Sequence, residues 1–214
     1  MIMKRKLITS LLCASLILSL AGCAKQTDNT TQPAAKATDA VVNMVSNTYL
    51  EGYDTFEVTS PDVIDGVWVD DISNTKLGDN SSPALSWQPV EGAEEYVIYM
   101  VDRNSKGFLH WKSGGIKETE LPRGWAPKDL EYNGPHVGHG YTHMYDIYVI
   151  ALKAPVDKLD GAVNCNNGRL AEFIESLNTD IDGNTGNIIS YGVVSGTFTD
   201  ARFRDEEPTG AYNK

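Results

Sequence analysis

The sequence predicts a mainly β domain with one late amphipathic helix, and two features of the 214-residue chain lead to that class. The first is a series of short apolar runs: "FEVTS", "ALSWQPV", "YVIYMVD", "FLHW", "YDIYVIAL" and "GVVSGTF". They are rich in Val, Ile, Tyr, Phe and Trp and are broken by Gly, Pro, Asn and Asp. Side chains that are β-branched or aromatic suit a pleated, half-buried surface, so these runs read as strands. The second feature is "NGRLAEFIESLN", in which Leu170, Phe173, Ile174 and Leu177 recur at helical spacing. Residues three and four apart share a helix face, so a helix over about 168–178 is expected to lay that face on the β core.

At the N-terminus, Lys4, Arg5 and Lys6 precede an apolar run from Leu7 to Leu20 and then "LAGC", Leu20 to Cys23. A charged start, a short apolar stretch and small residues at the end form the pattern of an export signal. The run is shorter than the roughly 20 apolar residues that a membrane-spanning helix needs. "LAGC" resembles the bacterial lipobox, so residues 1–22 are expected to be removed and Cys23 to carry acyl chains such as palmitate. Each buried CH₂ of such a chain contributes about 0.8 kcal/mol to membrane attachment.

Residues 23–51 then form the lipidated N-terminus and tether. From Ala24 to Thr38 the chain lacks apolar periodicity, while "DAVVNMVSNTYL" over 39–50 reads as a short helix or an arm on the domain. Residues 52–204 make the folded domain, and 205–214 an acidic tail. With Cys13 in the signal and Cys23 lipidated, Cys165 stands alone, so the domain must hold by its core without a disulfide. Removing 22 residues leaves 192, enough for one domain with a sizeable core. Removing the signal's three cations takes the formal charge from −11 to −14, which repels nucleic-acid backbones and argues against such partners.

The stretch "MVDRNSKGFLHW" puts Asp102 and His110 on the two sides of one tight turn. They meet at a ligand, or they are a turn-capping carboxylate and a core histidine. In "THMYDIYVIAL", His143 and Tyr145 are two apart, so on a strand both side chains point to one face, while Met144 and Asp146 point to the other. Two metal-like patterns fail. "DIDGNTGNIISY" has Asp180, Asp182 and Asn184 at alternate positions, but Thr185 stands where a calcium loop needs Gly and Tyr191 where it needs a bidentate Glu. "HVGHGYTH" groups His136, His139 and His143, but the first two fall outside the strand register of the third and no thiolate is near in sequence.

Taken together, the segments from about Phe56 to Phe203 resemble the phosphatidylethanolamine-binding protein family, also called the Raf-kinase-inhibitor-like family, in its small bacterial branch. "NSSPALSWQPVEGAEEYVIYMVD" is similar to that family's Asn-x-Ser-Pro-x-Leu-x-Trp stretch followed by a buried strand ending in Asp. "FLHW", "LPRG", "YNGP", "THMYDIYVIAL" and the late helix followed by "VVSGTF" correspond in order to its later motifs.

The resemblance implies an antiparallel β-sandwich-like fold with short peripheral helices and one anion pocket at the strand ends. That pocket would comprise Asp102, His110, Gly134, Pro135, His143 and Tyr145. Imidazole and phenol groups and loop N–H groups can donate to phosphate oxygens, and Asp102 can orient a histidine or accept from an ammonium group or a protonated phosphate. Trp87 and Trp111 belong to the core on this reading, and His136 and His139 to an exposed Gly-rich loop, with the pocket mouth as the lesser alternative for these two histidines. The chain departs from the family's pattern at Arg103, Asn104 and Met144, where Pro, Asp and Arg are usual, and at the "HVG" after Pro135.

The function expected is a surface-tethered, extracytoplasmic binding protein, anchored in the cell membrane by lipid, whose pocket takes phosphate or a phospho-headgroup. It needs no cofactor and no metal, and is not expected to be an enzyme. The other readings are a protease inhibitor or interaction module with an envelope protein partner, and a hydrolase using the Asp/His group. Against the last, no "GxSxG" elbow is present. A homodimer is compatible with all three.

Overall fold

The computed structural model describes residues 48–203 except 139, 167 and 168. The expected signal 1–22, the lipidation site Cys23, most of the 23–51 tether, His139 and the 205–214 tail lie outside the described residues.

The domain is mainly β with one α-helix. Three strands form its centre: β6 (Glu95–Asp102), β9 (His143–Leu152) and β11 (Ile188–Phe198). All eight residues of β6 are buried, as are the last eight of β9. The reason is that both faces of the sheet are covered, which lets these strands carry near-continuous apolar runs, Tyr96–Val101 and Ile147–Leu152, rather than alternate. Ile98, Met100, Ile147 and Val149 pack on the front face. Val97, Tyr99, Val101, Tyr148 and Ile150 pack on the back.

Around this centre the larger sheet adds β1 (Asp54–Thr55), β3 (Val63–Ile64), β4 (Val67–Trp68), β7 (Phe108–Ile116) and β10 (Cys165–Asn166), in the order β10-β7-β6-β9-β11-β4-β3 with β1 also on β11. A second, three-stranded sheet joins β2 (Val58–Thr59), β5 (Leu85–Trp87) and β8 (Glu120–Leu121). Its Val58, Leu85, Trp87 and Leu121 enter the front core beside Trp111, where both tryptophans were expected. Helix α1 (Leu170–Ser176) covers the back with Leu170, Phe173 and Ile174. Leu177, its cap residue, is fully buried there.

Two expectations need correction. The larger sheet is mixed rather than antiparallel, because β1 and β4 both pair parallel with β11, while the three-stranded sheet is antiparallel. These two short strands reach the far edge of β11 by loops rather than by a hairpin from it, so nothing forces them to run antiparallel. The helix is also shorter than 168–178, ending at Ser176 after seven residues. Among the described residues there are also three short 3₁₀ turns, Thr48–Leu50, Asp70–Ile72 and Ala201–Phe203, of which the first two each bury one core residue, Leu50 and Ile72.

One irregularity positions the site. Between β6 and β7, Met100 faces Trp111 but Val101 faces Leu109, so His110 is the extra residue of a β-bulge. A bulge puts two successive residues against one partner and re-aims the side chain. Both His110 and Trp111 therefore serve the front face. The loop residue Asn133 takes up the bulged backbone, its N–H donating to the His110 carbonyl at 2.7 Å.

Candidate functional site

Asp102 ends β6, and the chain turns back through Arg103 to Gly107, with Lys106 (φ 52°) and Gly107 (φ 71°) in the left-handed region that lets it reverse. Both readings of Asp102 hold at once. Its Oδ1 accepts from the Asn104 and Ser105 amides at 2.8 and 3.1 Å, capping the turn. Its Oδ2 lies 2.6 Å from Nδ1 of His143, the first residue of β9. Burial acts to raise the Asp102 carboxyl, but the hydrogen bond and charge of His143, the charge of His110 and the Ser105 hydroxyl outweigh it and hold the group below its ordinary value. Asp102 is therefore ionised at neutral pH.

His110 is 2% exposed and its Nδ1 lies 2.6 Å from the Asn133 carbonyl oxygen. Desolvation pulls its pKa down to about 4, against partial opposition from the Asp102 charge and the Asn133 carbonyl. His110 is thus a neutral imidazole at physiological pH. Tyr145 is buried beneath both rings, with centroid distances of 5.1 Å to His110 and 6.4 Å to His143. Burial, and then the charge of Asp102, raise its phenol well above the ordinary range. It stays protonated.

These groups border a cavity of about 200 Å³. Asp102, His110 and His143 line it together with Ser105, His136 and Tyr141, and Phe108 and Val137 supply apolar wall. Tyr145, Gly134 and Pro135 are not among the lining residues. Gly134 instead donates its N–H to Asn80 Oδ1 at 2.8 Å, and a Cβ there would overlap the Ile72 carbonyl oxygen. Glycine at 134 is required by that close approach, while Pro135 accepts from the Asn74 amide at 2.9 Å. Both hold the loop that carries His136.

His136, placed in an exposed loop by sequence, forms part of the cavity wall while remaining exposed, and its Nδ1 lies 3.0 Å from the Gly134 carbonyl oxygen. Its position directly after Gly134-Pro135 was the signal available for it. Ser105, Val137 and Tyr141 carried no comparable signal, because they reach the cavity through loop and turn geometry, while Phe108 reaches it from the first position of β7, opposite Asp102. The three departures from the family pattern interlock. Asn104 Oδ1 accepts the Met144 amide at 2.8 Å, Arg103 N donates to the Met144 carbonyl at 2.9 Å, and Arg103 Nε lies 3.5 Å from Asp146 Oδ2.

The arrangement is not that of a nucleophilic triad. Ser105 Oγ and Asp102 Oδ2 both approach the same His143 nitrogen, Nδ1, at 3.5 and 2.6 Å. A triad needs its acid and its nucleophile on opposite ring nitrogens. Among the described residues no three His, Cys, Asp or Glu side chains are grouped to hold a metal ion. Asp180 accepts from the amides of Asp182 and Asn184 at 2.9 and 2.8 Å, and so closes a turn.

No protein-family model matches the chain, and no curated protein matches it. Among solved structures, it is similar to Escherichia coli YbcL, described as a new member of the mammalian phosphatidylethanolamine-binding protein family. The identity is 19%, covering 67% of this chain and 97% of that one, with a TM-score of 0.51. A phosphatidylethanolamine-binding protein homologue from Chlamydia trachomatis, CT736, is 20% identical over 69% of this chain and 99% of that one, with a TM-score of 0.49. The likeness to YbcL shows the fold of this chain to be the mainly β architecture of that structure, a phosphatidylethanolamine-binding protein fold.

Proposed function

We propose that the protein is a lipid-tethered, extracytoplasmic binding protein whose cavity at Asp102, His110 and His143 holds a small anion, phosphate or a phospho-headgroup. The observation that carries this reading is the 2.6 Å contact between Asp102 Oδ2 and His143 Nδ1. An ionised carboxylate on Nδ1 fixes the ring and leaves Nε2 for a ligand, and whenever the ring carries both protons the Nε2 N–H is a charge-assisted donor for an oxyanion. The lack of a triad arrangement favours binding over hydrolysis. The lipobox-like "LAGC" supports tethering through Cys23.

Inorganic phosphate titrated into the protein tests the reading. A ligand that binds only the native state at a hundredfold excess over its Kd stabilises by about 2.7 kcal/mol, seen as a rise in Tm. His143→Ala should abolish that rise while leaving the unliganded protein folded. Equal phosphate stabilisation of the variant and the parent would defeat the proposal.

A further inference from the structure

The imidazoles of this cavity share one orientation. His110 Nδ1 faces the Asn133 carbonyl at 2.6 Å, His136 Nδ1 faces the Gly134 carbonyl at 3.0 Å, and His143 Nδ1 faces the Asp102 carboxylate at 2.6 Å. Carbonyl and carboxylate oxygens only accept, so each Nδ1 must carry the proton that it donates. Each ring then has Nε2 left for a ligand, and on a neutral ring that atom is a lone pair.

For His110 this state is locked. Moving its proton to Nε2 would set two lone pairs against each other at 2.6 Å, and a second proton would place a charge on a side chain with 2% exposure. The groups facing it are Asp102 on β6, Phe108 on its own strand, Tyr145 on β9, and, from the following loop, His136 and the acceptor carbonyls of Asn133 and Gly134. Burial outweighs the attraction of Asp102 and keeps the ring neutral above about pH 4. Of the Asp102 oxygens, Oδ1 accepts from the turn amides and Oδ2 faces His143.

Resting on the anion reading above, we propose that the cavity selects an oxyanion that still bears a proton, namely a phosphate or phosphomonoester monoanion. Its P–O–H donates to His110 Nε2 while an ionised oxygen accepts from His143. Sulfate and phosphodiesters carry no such proton at neutral pH. Bound in the same place, they would turn oxygen lone pairs toward the His110 lone pair and leave it unpaired. A site built around a hydrogen bond rejects analogues that lack the partner far more strongly than a site built around shape. The free phosphate group, not the diester of an intact phospholipid, is then the ligand.

The test is a ligand series on the unmodified protein, which needs no variant to fold. Inorganic phosphate, methyl phosphate, sulfate and dimethyl phosphate are titrated calorimetrically at pH 6, near the second ionisation of a phosphomonoester at about 6. Phosphate and methyl phosphate should bind at least tenfold more tightly than sulfate and dimethyl phosphate. Equal binding of all four would overturn the proton requirement and leave an anion pocket standing, and tighter dimethyl phosphate would point to a lipid diester and overturn it too. Binding by none would remove both readings. The ¹⁵N spectrum of His110 at pH 7 provides a ligand-free check: a neutral ring with its proton on Nδ1 supports the proposal, and a proton on Nε2 overturns it.

Discussion

Arg103 Nε lies 3.5 Å from Asp146 Oδ2, on the face of the sheet opposite to the Asp102–His143 pair. Two adjacent residues, Asp102 and Arg103, therefore tie one turn to both faces of the same strand. Asp146 is fully buried, and desolvation raises its carboxyl above the ordinary value, with Ser195, Arg103 and Tyr148 opposing. One of its oxygens, Oδ1, has no hydrogen-bond partner among the described residues. Removing one member of a buried pair leaves the other uncompensated, so Arg103→Ala should cost about 2–4 kcal/mol in urea unfolding. In a double-mutant cycle, adding Asp146→Asn to Arg103→Ala should restore part of the loss. Strict additivity would show that the pair contributes nothing.

The site makes stability depend on pH with a definite sign. His110 has a folded pKa of about 4 against 6.5 unfolded, so below pH 6.5 the unfolded chain binds a proton that the folded one refuses. Its contribution is complete above pH 6.5 and is lost toward pH 4, by about 3 kcal/mol. Asp102, held below its ordinary value, contributes stability above its unfolded pKa and loses it as pH falls through the folded one. The raised Asp146 acts in the opposite direction, becoming less unfavourable as it protonates. Urea midpoints at pH 7 and pH 4.5 should differ in favour of pH 7, and His110→Gln should narrow the gap. A midpoint independent of pH over that range would contradict the buried neutral His110.

Gly134→Ala separates packing from ligand contact. Its Cβ would meet the Ile72 carbonyl oxygen and the Asn74 amide, both backbone, so the loop must move. Overpacking of this kind costs about 1–3 kcal/mol. Because Gly134 N–H already serves Asn80, any loss of phosphate binding should follow the displacement of His136 rather than the loss of an anion donor. Stability equal to that of the parent would mean that the 72–74 segment yields freely.

Cys23→Ser tests the tether independently of the pocket. Lipidation of Cys23 should partition the protein with membranes, and the serine variant should move to the soluble fraction. Unchanged partition would remove the lipobox reading without touching the site.

Much of the architecture was legible locally. Two-residue alternation put His143 and Tyr145 on one face and Asp146 on the other, apolar runs marked the strands, and helical spacing identified Leu170, Phe173 and Ile174 as a buried face. These are properties of a chain segment by itself, because backbone geometry dictates which side chains share a side. Tertiary structure alone decided the chemistry of the site. The bulge that presents His110 exists only through its register with β6, and the Asp102–His143 contact spans 41 residues. The Asn133 carbonyl that fixes the proton of His110 comes from a loop 23 residues away. Gly134 marked its loop in the sequence, but the reason for glycine there is Ile72, 62 positions earlier. Proton positions and pKa shifts follow from enclosure and from partners brought in by long-range pairing, and no local periodicity carries that information.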